Sequence, residues 1–76
     1  MSEVKKVQAA EMLKEFQTIL ALEEEAATVY LQLAEDCDDA EASEILRRIA
    51  SEEVAHVAIA KELVKLAQQC KSMENQ

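Results

Sequence analysis

Apolar residues recur along the first half of the chain in steps of three and four: Leu13, Phe16, Leu20, Ala27, Tyr30, Ala34 and Cys37. That rhythm marks one buried helix face and predicts a helix from about Val4 to Asp36. The step between Leu20 and Ala27 falls on Glu23, a carboxylate where the series asks for an apolar side chain. Ala, Leu, Glu and Lys fill many of the other positions and favour helix. Short acids then interrupt the pattern at Asp36, Asp38 and Asp39. Asp38 followed by Glu41 has the spacing of a capping box, which predicts a turn over residues 37–39 and a second helix from about Asp39. This helix runs to about Cys70 on the series Ala42, Ile45, Ile49, His56, Ile59, Leu63 and Leu66, and His56 is its odd member. Residues 71–76 read as a frayed, polar tail. The expected fold class is all-α, with residues 1–76 forming a single antiparallel two-helix hairpin.

Composition narrows the field. Gly and Pro are both absent, which removes most hairpin turns of β-proteins and every glycine-rich phosphate loop. Sixteen acids against eight bases give a net charge of −8, and this argues against binding a phosphate backbone. Phe16 and Tyr30 are the only aromatics, too few to stack bases of a single strand. No apolar run approaches the roughly 18 residues of a membrane span, and no leader pattern opens the chain. Neither nucleic acid nor a membrane is therefore an expected partner, and the expected compartment is the cytoplasm. Cys37 and Cys70 make no metal-binding spacing and read as reduced thiols.

Two helices alone cannot enclose a core. Leu31, Leu33, Leu46, Val57 and Val64 widen the apolar stripe beyond a simple two-helix seam, and a second hairpin would cover the excess by forming a four-helix bundle. A homodimer at least is expected.

Glu53 and His56 stand three residues apart, on one face of the second helix. Glu23 lies as many positions before the turn as Glu53 lies after it, so an antiparallel hairpin puts both carboxylates at one height. Burying two carboxylates and an imidazole without partners costs several kcal/mol. A cation offsets that cost. Across a two-fold axis at this level, four carboxylates and two imidazoles would meet, enough to neutralise two divalent metals. An oxygen-rich set with one nitrogen per metal suits iron or manganese, with zinc as a substitute. The same axis brings the partner's turn near position 67, so that Cys70 approaches the other chain's Cys37.

With Glu23, Tyr30 seven residues on, and Glu53-Val-Ala-His56, the stretch Leu22–Leu66 resembles the ferritin-like superfamily. Rubrerythrins share these steps at a distance. The closer resemblance is to the encapsulated ferritins, or half-ferritins, whose two-helix chains pair to build a di-iron site and whose two ligand glutamates are thirty residues apart, as Glu23 and Glu53 are. The resemblance implies a ferroxidase that oxidises Fe(II) with dioxygen or peroxide in iron storage or detoxification. It also implies two irons per dimer, one per chain. In its terms Glu53 bridges, Glu23 and His56 are terminal ligands, and Tyr30 holds a ligand carboxylate through its hydroxyl. Glu25 matches an acid on the family's metal access route, whereas Leu22 and Val29 depart from the acid and the aromatic residue expected there. A larger even-numbered ring and an encapsulin shell belong to the same picture, although no targeting tail is visible after Cys70. The competing expectation is a non-catalytic helical oligomerisation or metal-sequestering module.

Overall fold

The computed structural model describes residues 8–74. It contains two helices, α1 (Ala9–Asp36) and α2 (Ala40–Glu74), packed against each other, and no strand among the described residues. The expected start of the first helix at Val4–Val7 lies outside the described residues, as do Asn75 and Gln76 of the tail. The principal extents are 54 × 30 × 13 Å, and the smallest is close to the diameter of one helix with its side chains. The chain is a single layer of two antiparallel rods.

Local chemistry sets the ends of those rods. The first bond of α1 runs from the Met12 amide to the Gln8 carbonyl, 2.9 Å. At the turn Asp39, not Asp38, is the N-cap: its Oδ2 accepts from the Ala42 amide at 2.8 Å, while its carbonyl accepts from the Ser43 amide at 2.8 Å. The capping acid thus sits one residue later than the capping-box spacing suggested. Ser43 then donates its hydroxyl to the Ala34 carbonyl at 2.8 Å, satisfying one of the carbonyls that the last turn of α1 leaves without a helical partner. No described residue takes a positive φ, so this turn has no need of the glycine the chain lacks. α2 continues to Glu74, four residues beyond the expected end at Cys70. Nothing after Cys70 breaks a helix, and Lys71 in the last turn suits the negative end of the helix dipole.

The seam between the helices follows a regular three–four spacing. Ala9, Ala34, Ala50, Ala60 and Ala67 are the buried residues, each at most 6% exposed. Half-buried Phe16, Leu20, Glu23, Ala27 and Tyr30 complete it on α1, and Leu46, Glu53, Val57 and Val64 on α2. This corrects the sequence reading of α2. The series Ile45, His56, Ile59 and Leu66 was expected to be buried, but all four are exposed, because each stands one position before a seam residue. Leu46, Val57 and Val64, expected to flank the stripe, occupy the seam instead. Alanines at 50, 60 and 67 let two backbones approach closely, so the Ala-bearing stripe closes the hairpin and the Ile/Leu stripe is left over.

The same offset holds on α1, where Ile19, Leu22, Val29 and Leu33 precede seam residues and are 42–60% exposed. Both leftover stripes open on one side. A groove there is lined by Ile19 and Glu23 from α1 and by His56, Ile59, Ala60 and Leu63 from α2. Positions immediately after seam residues form the reverse side, which is more polar, with Glu24, Glu35, Arg47 and Lys61, and also exposes Leu31 and Val54.

Candidate metal centre

Glu23 and Glu53 reach each other because each replaces an apolar residue in the seam of its own helix. His56 stands one turn beyond Glu53 and one position off the seam, so its ring leans back over the pair from the open face. Its Nδ1 lies 3.2 Å from Glu23 Oε2, in hydrogen-bond contact across the hairpin, and 3.8 Å from Glu53 Oε1. One donor atom from each residue lies within 4.8 Å of the other two. Side-chain exposure falls from 55% at His56 to 28% at Glu23 and 18% at Glu53. The carboxylates form the floor of the site and the imidazole its rim.

Two carboxyl groups at this separation resist sharing two negative charges. Glu53 is held above its ordinary value of 4.5, first by hydrogen bonding with the Glu23 side chain, then by partial burial and by the negative charge of Glu23. Glu52 adds to the rise, and His56 opposes it. Glu53 therefore holds its proton more tightly than an isolated glutamate does.

The donor set fits a first-row divalent metal. Two carboxylate oxygens neutralise the charge, and one imidazole nitrogen supplies the borderline donor that iron, manganese and zinc accept. Three protein ligands on an uncovered face would leave coordination positions open.

The other residues singled out by sequence fall elsewhere. Tyr30 is half-buried in the seam, one heptad from Glu23 toward the turn. Glu25 is exposed on the outer side of α1 and lies outside the cluster. Cys37 is half-buried in the turn, its Sγ donating to the Asp39 carbonyl at 3.6 Å, and Cys70 is exposed; both are free thiols. What sequence reasoning missed is the open groove toward Ile59 and Leu63. The signal was present in the one-residue offset between two parallel apolar stripes, but spacing alone did not say which stripe closes the hairpin.

Comparison with protein-family models, with curated proteins and with solved structures finds no match to this chain. Among the described residues no helix is long and apolar enough to cross a membrane.

Proposed function

We propose that two copies of this hairpin close on each other to form a ferritin-like four-helix bundle that takes up two ferrous ions and oxidises them. The single observation that carries this reading is the Glu23–Glu53–His56 cluster, three convergent donors opening onto the apolar face that the hairpin leaves uncovered. In the pair, two copies of each ligand surround two substrate ions, four carboxylates against four positive charges. The ferrous ions supply the redox chemistry, one electron each to dioxygen or peroxide. The protein's part is to hold, orient and exclude water. Glu53, the deepest of the three, bridges; Glu23 and His56 bind terminally; the Tyr30 hydroxyl steadies a ligand carboxylate once the bundle closes. Protons compete with the metal for Glu53, so uptake weakens in acid. Glu25, exposed on the outer side of α1, is the acid that the resemblance matches to a cation access route. A larger even-numbered ring or an enclosing shell would turn oxidation into storage.

A second reading has its own support. Every buried residue among the described ones is an alanine while Ile59, Leu22 and Leu66 are at least 55% exposed, so this face requires a cover whether or not metal binds. In that reading the chain is a helical assembly module that sequesters metal without turnover.

Native mass spectrometry after anaerobic Fe(II) loading, followed by admission of oxygen, separates the two. A ferroxidase gives an even-numbered oligomer with one iron per chain, raised thermal stability through preferential binding to the folded state, and rapid ferric absorbance. Glu53→Ala and His56→Ala abolish all three. An oligomer that holds iron but leaves it ferrous in oxygen supports sequestration, and one that holds no iron leaves only the assembly module.

A further inference from the structure

One acid outside the donor cluster stands on the open face beside it. From Ile19 to Leu33 on α1, every position that precedes a seam residue is apolar. From Ile45 to Leu66 on α2, the same positions are apolar except Glu52 and His56, which lie one turn apart. Glu52 is exposed and is not one of the three clustered donors. Among the described residues it makes no ion pair: Arg48, the base one turn before it, lies 3.9 Å from Glu44 instead. Arg47 and Lys61 belong to the reverse side, and α1 has no base after Lys14. The field of Glu52 nevertheless reaches the cluster, where it adds to the rise at Glu53. Burying an unpaired charge is costly, so a cation beside Glu52 removes an obstacle to covering this face.

We infer that Glu52 is the capture residue of the metal centre, drawing a hydrated divalent cation onto the open face and passing it to Glu23, Glu53 and His56. This deepens the metal-centre reading and rests on it. Past His56, away from the turn, the groove of about 170 Å³ is walled by Ile19, Ile59 and Leu63. Apolar walls offer no ligand to a hydrated ion, so the approach is from the Glu52 side. Glu25, which the resemblance matches to an access route, stands on the outer side of α1 and not on this face. A unit negative charge about 6 Å from the site concentrates a divalent ion there about three- to tenfold in dilute salt. That gain fades as the Debye length shrinks to about 3 Å near 1 M salt.

Cobalt(II) is the probe, because its visible absorbance reports binding without oxidation. Stopped-flow mixing with the full chain, in dilute salt and near 1 M salt, compares wild type with Glu52→Gln, Glu52→Asp and Glu25→Gln. Glu52→Gln is expected to slow cobalt uptake about three- to tenfold in dilute salt and to match wild type near 1 M, with the same final stoichiometry. Glu52→Asp, which keeps the charge, restores the rate. A deficit that persists near 1 M makes Glu52 a coordinating ligand and overturns the capture role. Unchanged uptake in Glu52→Gln overturns it too, and so does a loss in Glu25→Gln as large as that in Glu52→Gln. The salt-dependent loss supports capture even if Fe(II) stays ferrous in oxygen, an outcome that removes only the ferroxidase reading. A wild-type chain that takes up no cobalt overturns the metal centre and the capture role together.

Discussion

The seam and the open face of this hairpin are built from the same amino-acid classes at the same spacing, one residue out of phase, yet they do opposite things. In the seam the fully buried positions are small: Ala34, Ala50, Ala60 and Ala67 are nearly inaccessible, with Phe16, Leu20, Tyr30, Leu46 and Val57 half-buried around them. The open face takes the large ones: Ile19, Leu22, Ile59 and Leu66 remain 42–60% exposed. Burial of apolar area stabilises by about 25 cal/mol per Å², so a hairpin that fully buries only methyl groups and exposes Ile and Leu side chains keeps part of that stabilisation in reserve. The lesson is that full burial goes to alanines, where the two backbones approach most closely, while large apolar side chains lie half-buried in the seam or exposed beside it. The donor cluster straddles the boundary, with Glu23 and Glu53 in the seam and His56 on the open face.

The largest break in this comparison comes from charging the open face. Ile59→Lys with Leu33→Lys is expected to convert the oligomer wholly to monomer in sedimentation and to remove cooperative thermal unfolding, while the equivalent pair on the reverse side, Val54→Lys with Leu31→Lys, leaves both unchanged. Equal damage from both pairs would mean that the two sides are not functionally distinct.

Next comes the seam. Ala60→Leu forces the helices apart and is expected to cost about 1–3 kcal/mol in denaturant melts, with weaker metal loading because Glu23 and Glu53 separate. Ala58→Leu, two residues away on the exposed surface of α2, serves as the control and should stay within about 0.5 kcal/mol of wild type.

The smallest effect sharpens the boundary itself. Because the folded-state value of Glu53 is raised, its contribution to stability is fully present below its ordinary 4.5 and is lost as pH rises through the raised value. The metal-free protein should melt at progressively lower temperature across that window, and Glu53→Gln should flatten this part of the curve. A slope unchanged in Glu53→Gln would assign the pH dependence to the exposed acids of the turn instead.

Much of this was legible beforehand. Unbroken three–four periodicity without Gly or Pro predicts two helices, and a cluster of short acids between them predicts the turn. Equal distances of Glu23 and Glu53 from that turn predict their meeting, because rise per residue is constant along a helix. Periodicity fails where two apolar stripes run side by side: Ile45–His56–Ile59–Leu66 and Leu46–Val57–Ala60–Ala67 satisfy it equally. The choice of Asp39 over Asp38 as cap was likewise hidden, since either acid has the chemistry and only the backbone at Ala42 and Ser43 selects between them.

By itself, then, the sequence determined the rods, the turn and the height at which two carboxylates and an imidazole would assemble, because those follow from local geometry repeated residue by residue. The tertiary structure decided which face closes. That choice depends on how near two backbones can come, a property of facing alanines on different helices that neither helix carries alone. It is also what leaves His56 on an uncovered rim above Glu23 and Glu53.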